Sequence, residues 1–141
     1  MDSTSTVVWQ GSTKEGEGKI TTESGVLKES VYTFGTRFKG NPGTNPEELI
    51  AAAHAACFSM AVSSELGEAN ITADQIKTVA KVTLSTEGNA PEVTQIHLDV
   101  TAKIPGGDKS AFEKAAKAAK ENCPISRLLN ADIQMDTHFE G

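Results

Sequence analysis

The sequence predicts an α+β fold in which antiparallel β-sheets wrap around one long buried central helix. A nearly continuous apolar stretch over residues 49–66 indicates the helix, and the residues on both sides of it alternate between apolar and polar types, as strands do. The chain has 141 residues, of which 38% are hydrophobic and 5% aromatic. That length suits a single domain over residues 1–141 whose core depends on aliphatic side chains.

The first forty residues are predicted to form short antiparallel strands joined by turns. A glycine-containing loop, residues 11–16, separates the first two strands, and Ser24 with Gly25 is a turn signal before the third. The predicted strands cover residues 6–10, 18–22, 26–27 and 31–34.

The central helix has the clearest start in the chain. Asn45 is a good N-cap, Pro46 suits the first helical position, and Glu48 completes a pair that resembles a capping box. Nearly every residue over 49–66 is apolar or small, and Gly67 can end the helix. A helix that is apolar on almost every face is normally buried. In so small a domain, we expect a second chain to help cover it.

The second half of the chain is predicted to contain both strands and helices. Aliphatic and polar residues alternate over residues 92–104, and a similar pattern over 76–85 indicates a second long strand. Residues 110–121 are amphipathic at helical spacing. A short helix over 124–129 and a strand over 133–139 complete the prediction.

The charge balance restricts the possible partners. The formal net charge is −6, the pI is about 5.0, and no basic residues are clustered, which argues against nucleic acid or an anionic membrane surface as partner. Residues 1–6 lack the basic and apolar regions of a signal peptide. No apolar run is expected to reach membrane-spanning length. We therefore expect a cytoplasmic protein that binds neither nucleic acid nor a membrane.

Two cysteines are the strongest candidates for chemistry, because a lone pair in a reducing compartment is more often redox-active than structural. Cys123 precedes Pro124, where a helix is expected to begin, so its sulfur would face free N–H groups that stabilise a thiolate. Cys57 lies in the apolar helix, which raises a thiol's pKa unless a cation arrives from elsewhere. Local electrostatics therefore favour Cys123 as the attacking thiol, and Cys57 has the alternative interpretation of a small core residue.

Other candidate residues also have simpler interpretations. Glu47 lies in the first helical turn, where an acidic residue stabilises a helix regardless of function. Arg37 could be a solvent-facing strand residue. His54, Cys57 and Cys123 would give three zinc ligands, but this spacing is common by chance and no fourth ligand is evident. We expect His54 to pack beside the cysteines instead.

Four segments resemble the OsmC subgroup of the OsmC/Ohr family, the osmotically inducible and organic hydroperoxide resistance proteins. They are residues 36–40, 43–49, 51–60 and 122–126. The sequence Asn-Pro-Glu-Glu-Leu at the helix start and both cysteine contexts occur in the order that this family has. The resemblance extends over essentially the whole chain.

The resemblance implies a thiol peroxidase of oxidative or osmotic stress defence that reduces organic hydroperoxides, and hydrogen peroxide less well. It makes Cys57 the peroxidatic cysteine and Cys123 the resolving one, which reverses the local electrostatic ranking. Glu47 matches the family's catalytic glutamate, and Arg37 is the choice for the guanidinium that holds the thiolate. No metal or organic cofactor is implied. An external dithiol, for example of the lipoyl type, would regenerate the thiols.

The family also implies an intertwined homodimer. On a straight helix Glu47 and Cys57 would be about 15 Å apart along the axis, too far for contact. They could meet if two copies of the helix cross antiparallel near Ala52, and a broken helix within one chain is the alternative. A function of another class stays open as well, namely a non-catalytic redox sensor or a dimer that binds a small apolar ligand.

Overall fold

The computed structural model describes all 141 residues and contains two compact units, Met1–Leu49 and Ile50–Gly141. Each unit has its own three-stranded sheet. The chain contains six strands and four helices, which confirms the predicted α+β class. The single domain over residues 1–141 stays a prediction.

The sheet of the first unit is antiparallel in the order β1-β2-β3, formed by β1 (Ser5–Gln10), β2 (Glu17–Thr22) and β3 (Ser30–Tyr32). The predicted strand over residues 26–27 is wrong, because this segment is an irregular loop. The loop closes on Thr22: its backbone N–H donates to the Leu27 carbonyl at 3.0 Å, and its hydroxyl accepts from the Leu27 N–H.

A short helix, α1 (Phe34–Phe38), replaces the end of the strand predicted over residues 31–34. Thr33 is its N-cap: the Thr33 hydroxyl accepts from the Thr36 N–H, and the Thr36 hydroxyl accepts from the Thr33 N–H. These reciprocal bonds satisfy two donors that a helix start would otherwise leave unpaired. Arg37 therefore lies on a helix and not, as the alternative interpretation had it, on a strand.

The long helix α2 runs without a break from Pro46 to Glu68. Its predicted N-cap is confirmed, because the Asn45 Oδ1 atom accepts from the Glu48 N–H at 2.8 Å. The Glu48 carboxylate does not complete a capping box and accepts from the Thr44 hydroxyl instead. The broken helix considered as an alternative is not observed.

The end of α2 differs from the prediction that Gly67 terminates it. Asn70 has a left-handed backbone (φ 56°), its N–H donates to the Gly67 carbonyl, and the Ile71 N–H donates to the Leu66 carbonyl. These two bonds form a Schellman motif with Asn70 as the left-handed residue. Asparagine tolerates this conformation better than most residues with a Cβ, so the residue that ends the helix is Asn70 and not Gly67.

The second unit has a mixed sheet in the order β4-β5-β6, formed by β4 (Gln75–Ser85), β5 (Glu92–Lys103) and β6 (Asp132–Glu140). The β4–β5 pair is antiparallel, as predicted, but β5 and β6 are parallel, so the purely antiparallel prediction is wrong here. Parallel strands need a long crossover, and the helices α3 (Lys109–Asn122) and α4 (Pro124–Leu128) provide it.

The core of this unit joins α2, α3 and the buried face of β5. The contributing residues include Phe58, Val62, Leu66, Ile96, Leu98, Val100, Ala102, Phe112, Ala116, Ala119 and Cys123. The alternation predicted for β5 is confirmed. Its even-numbered residues from Ile96 to Ala102 are all buried, and the odd-numbered residues between them are more exposed.

One face of α2 stays uncovered within a single chain. Ala52, Ala53, Ala56 and Met60 are exposed, and the Met60 side chain is 77% accessible. The helix has 23 residues, and an 18-residue window within it has a mean hydropathy of 1.4, so the expectation that no apolar run reaches membrane-spanning length is wrong. Because α2 packs Phe58, Val62 and Leu66 into the core of the second unit, it has the arrangement of a core helix.

Candidate active site

The two cysteines meet in the second unit although 66 residues separate them. Both are free thiols, and their Sγ atoms are 3.0 Å apart. Helix α2 positions Cys57, and Cys123 lies at the junction where α3 ends and α4 begins. A disulfide requires an S–S distance of about 2.05 Å, so a shift of about 1 Å would allow the bond to form.

Exposure distinguishes the two thiols. Cys123 is completely buried, with no accessible surface, and belongs to the hydrophobic core. Cys57 is partly exposed and packs at the edge of the same core. A molecule in solvent can therefore reach Cys57 but not Cys123 in this chain.

Acidity ranks the two thiols in the opposite order. Burial raises the pKa of Cys57, and the neighbouring Cys123 sulfur raises it further. For Cys123, burial opposes ionisation, but the Cys57 thiol, the backbone N–H groups of Ser126 and Ile125 and the Ser126 hydroxyl stabilise the thiolate more strongly and lower the pKa. This is the ranking that the position before Pro124 predicted.

Arg37 and Glu47 form an ion pair in the first unit. The Arg37 Nη2 atom lies 2.7 Å from Glu47 Oε1, and Arg37 Nε donates to both carboxylate oxygens at 3.0 and 3.2 Å. Glu47 is buried (8% exposed), and the guanidinium also lies over the Phe38 ring at 5.2 Å. The carboxylate thus fixes the orientation of the guanidinium. The predicted contact is present, and the catalytic roles of both residues stay predictions.

A pocket of about 220 Å³ in the first unit borders this guanidinium. Its walls are largely aromatic, with one cationic group. The lining residues are Trp9, Thr13, Tyr32, Thr33, Phe34, Arg37 and Phe38. An apolar molecule that carries one polar group suits such a lining. The pocket is not evident from the sequence, in which residues 31–34 indicate a strand.

His54 is hydrogen-bonded to Ser126, which lies three positions after Cys123. It is fully buried, its Nε2 atom is 2.7 Å from the Ser126 hydroxyl, and its Nδ1 atom has no partner. Burial lowers the pKa of His54, which keeps the imidazole neutral. No three histidine, cysteine, aspartate or glutamate side chains are arranged to hold a metal ion.

The chain is similar to known proteins of one family. The family model described as OsmC-like protein matches residues 38–138. Peroxiredoxin OsmC of Escherichia coli (strain K12) is 49% identical over 133 residues, which cover 94% of this chain and 93% of that protein. Organic hydroperoxide resistance protein OhrB of Bacillus subtilis is 31% identical over 121 residues, covering 84% and 88% respectively. The crystal structure of OhrB superimposes with a TM-score of 0.75 over 95% of this chain and 97% of that chain, at 29% identity.

The fold, the facing free thiols and these relatives define the class of the protein as a cysteine-based peroxidase. The resemblance described from the sequence is thereby confirmed. The chain belongs to the OsmC-like protein family.

Proposed function

We propose that this peroxidase reduces organic hydroperoxides to alcohols, and hydrogen peroxide less well, through a two-cysteine cycle. The observation that carries the proposal is the 3.0 Å contact between the free thiols of Cys57 and Cys123. Two further features support the substrate class. The aromatic pocket beside Arg37 suits an apolar tail, and a relative from Bacillus subtilis is named for organic hydroperoxide resistance.

The cycle begins at Cys57. Its thiolate attacks the distal peroxide oxygen, the O–O bond breaks, and the alcohol leaves with a proton, so that Cys57 becomes a sulfenic acid. Cys123 then attacks the Cys57 sulfur, water leaves, and a disulfide forms. Rapid disulfide formation protects Cys57 from irreversible oxidation to the sulfinic or sulfonic acid.

Accessibility supports Cys57 as the peroxidatic residue although Cys123 is the more acidic thiol. A hydroperoxide cannot reach a sulfur that has no accessible surface, whatever its pKa. The low pKa of Cys123 is useful in the last step of the cycle. A thiol that ionises readily is a good leaving group when an external dithiol reduces the disulfide.

Arg37 supplies the cation that Cys57 lacks in its own surroundings. Its charge would lower the pKa of Cys57 and polarise the peroxide, and Glu47 would hold the guanidinium in place through the observed ion pair. We propose that this pair acts across the interface of an intertwined homodimer. Glu47 and Cys57 are ten residues apart on the unbroken α2, about 15 Å along the axis, and α2 exposes a face of small residues on which a second copy could cross.

The remaining requirements are few. The cycle uses no metal or organic cofactor, since the oxidising equivalents pass through sulfur alone. An external dithiol, for which a lipoyl-type compound is the candidate, regenerates the two thiols. We place the protein in the cytoplasm, where thiols are kept reduced, as one domain over residues 1–141 that serves in oxidative or osmotic stress defence.

Thiol counting tests the cycle directly. Wild type and Cys123→Ser are treated with one equivalent of cumene hydroperoxide, alkylated, and weighed as intact proteins. We expect the wild type to lose both thiols to one disulfide, and Cys123→Ser to stop at a sulfenic or higher acid on Cys57. Ser59→Ala is the matched control, because it removes a hydroxyl on α2 that bonds Thr78 and no cysteine.

Two results would contradict the proposal. If Cys57 stays reduced, or Cys123 oxidises first, the assignment of roles is wrong. If both thiols oxidise once but a dithiol supports no turnover, the protein is a redox sensor or a ligand-binding dimer instead.

A further inference from the structure

A buried polar pair lies next to Cys123, and the two-cysteine cycle as described does not use it. His54 has no accessible surface and Ser126 is 8% exposed. The His54 Nε2 and Ser126 Oγ atoms are 2.7 Å apart, although 72 residues separate them in sequence. Ser126 is the third residue of α4, whose N-cap is Cys123, and its hydroxyl lowers the pKa of the Cys123 thiol. Buried polar groups destabilise a core unless they are well paired, so this pair calls for an explanation.

The direction of the two hydrogen bonds follows from counting protons. The Ser126 hydroxyl has one proton, and when Cys123 is a thiolate that proton is donated to the sulfur. The Ser126 oxygen must then accept its bond to His54, so the neutral imidazole carries its proton on Nε2. The unpartnered Nδ1 atom agrees with this tautomer, because the opposite one would leave a buried N–H without an acceptor.

We propose that His54 is a positioning residue for the resolving step: its Nε2–H holds the Ser126 hydroxyl so that this hydroxyl donates to the Cys123 thiolate. The inference rests on the proposed function, in which Cys123 is the resolving thiol. His54 does not touch the peroxide or either sulfur. It acts through Ser126, and it needs no change of its own charge.

The step that His54 assists converts a thiolate and a sulfenic acid into a disulfide and water. The electron pair of the Cys123 thiolate forms the S–S bond, while the S–O bond of the Cys57 sulfenic acid breaks. The hydroxide that leaves combines with the proton lost from the Cys123 thiol, giving water. The Cys57 sulfur is thereby reduced and the Cys123 sulfur oxidised, with no other reactant. In the reverse direction, the same hydroxyl stabilises Cys123 as it leaves during reduction by a dithiol.

The size of the effect can be bounded. A hydrogen bond to a charged group typically changes an equilibrium by about tenfold or more, so its loss should lower the thiolate fraction of Cys123 by about that factor. A more basic thiolate is also the better nucleophile, with a Brønsted coefficient of about 0.4–0.5. The disulfide-forming step should therefore slow about threefold, and up to about tenfold if the hydroxyl also turns away.

A single-turnover experiment separates this step from the preceding one. The reduced protein is mixed with one equivalent of cumene hydroperoxide and quenched at intervals, with a sulfenic-acid trap in one series and an alkylating agent in another. The variants are His54→Leu, His54→Gln and Ser126→Ala. We expect sulfenic-acid formation at the wild-type rate in all three, slower disulfide formation in His54→Leu and Ser126→Ala, and recovery in His54→Gln, whose amide restores a donor but cannot titrate.

A structural effect alone would not give this pattern. If the two residues act in one chain of hydrogen bonds, then His54→Leu combined with Ser126→Ala is no slower than either single variant. Ser59→Ala serves as the control for the loss of a hydroxyl on a different helix, α2, with both steps unchanged. Ser126→Ala also tests the inference if His54→Leu does not fold.

The two proposals can fail separately. If wild type forms no disulfide, the proposed two-cysteine cycle is wrong. If wild type forms it and both His54→Leu and Ser126→Ala match that rate, only the positioning role is overturned. If His54→Gln stays as slow as His54→Leu, the imidazole acts as a base rather than as a donor, which also overturns the inference.

Discussion

Two residues that differ in accessibility and acidity share one thiol–thiol contact. Burial protects Cys123 from solvent while the Cys57 thiol and the start of α4 lower its pKa, and the more exposed Cys57 has a raised pKa. A peroxidatic cysteine needs both access and a stabilised thiolate. Cys57 is accessible, but its own surroundings do not stabilise its thiolate. In the proposed homodimer, the charge of Arg37 would stabilise it.

Glu47→Gln should therefore weaken the reaction at Cys57 without removing the thiol. An amide cannot hold the guanidinium by charge, so we expect kcat/KM for cumene hydroperoxide to fall about tenfold or more. Because Arg37 is 36% exposed at its side chain, water can solvate it, and the free energy of unfolding should fall by only about 1–2 kcal/mol. Steady-state kinetics and urea denaturation measure the two effects.

Glu48→Gln is the matched control, because Glu48 is the exposed neighbour whose carboxylate bonds only the Thr44 hydroxyl. Its kcat/KM should stay within a factor of about two of wild type. Equal losses in both variants would show that the negative charge of the helix start matters and the ion pair does not.

His54 also predicts a pH dependence of stability. Burial lowers its pKa below the ordinary value of 6.5, so below that pH the unfolded chain binds a proton that the folded protein resists. The free energy of unfolding should thus be highest above pH 6.5 and fall as the pH drops below it, at up to about 1.4 kcal/mol for each pH unit. In His54→Gln this part of the dependence should be absent, while that due to carboxylates remains. Denaturant titrations from pH 7 to pH 5 measure the free energy of unfolding of both proteins. If it falls with pH equally in wild type and in His54→Gln, the predicted contribution of His54 is wrong.

At the scale of elements, the end of α2 depends on Asn70 and not on Gly67. The Schellman bonds at Asn70 set the stop, and Gly67 lies inside the helix with no atom within 4 Å of the position a Cβ would take. Glycine inside a helix is unfavourable because it loses more backbone entropy on folding than other residues do.

Gly67→Ala should accordingly stabilise the protein, and Asn70→Ala should destabilise it. We expect the free energy of unfolding to rise by about 0.5–1 kcal/mol in the first case. In the second case it should fall by about 1 kcal/mol, since alanine is strained in the left-handed region. Urea denaturation measures both changes, with Asn70→Gly as a control that should be at least as stable as wild type. Destabilisation by Gly67→Ala would mean that this glycine is needed for the helix stop after all.

At the scale of the whole molecule, a single chain leaves one apolar face of α2 exposed to solvent. Its exposed alanines permit close approach of another helix, and the exposed Met60 adds apolar area. A second copy would cover this face. The same crossing would make each active site depend on residues of both chains.

Mixing a strongly impaired variant with an inactive one tests this dependence. If Glu47 of one chain serves Cys57 of the other, then Glu47→Gln and Cys57→Ser chains unfolded and refolded together should form heterodimers that contain one complete site. We expect peroxidase activity clearly above that of either variant refolded alone, although only a minority of the sites can be complete. As a control, the variants are mixed without unfolding, which should restore much less. If refolding together restores nothing while the chains do exchange, Glu47 and Cys57 act within one chain.

Local patterns in the sequence determined much of this protein. The Asn45–Pro46 helix start, the alternating face of β5 and the amphipathic α3 depend on neighbours within a few positions, which propensity and periodicity describe. The two cysteine contexts predicted redox chemistry and the family resemblance implied a role for each cysteine, and these roles stay predictions. Only the tertiary structure decided the parallel pairing of β6, the helix that carries Arg37, and the contacts of Cys57 with Cys123 and of His54 with Ser126. Those contacts join residues far apart in sequence, and they depend on how helices pack against a sheet, which no local pattern specifies.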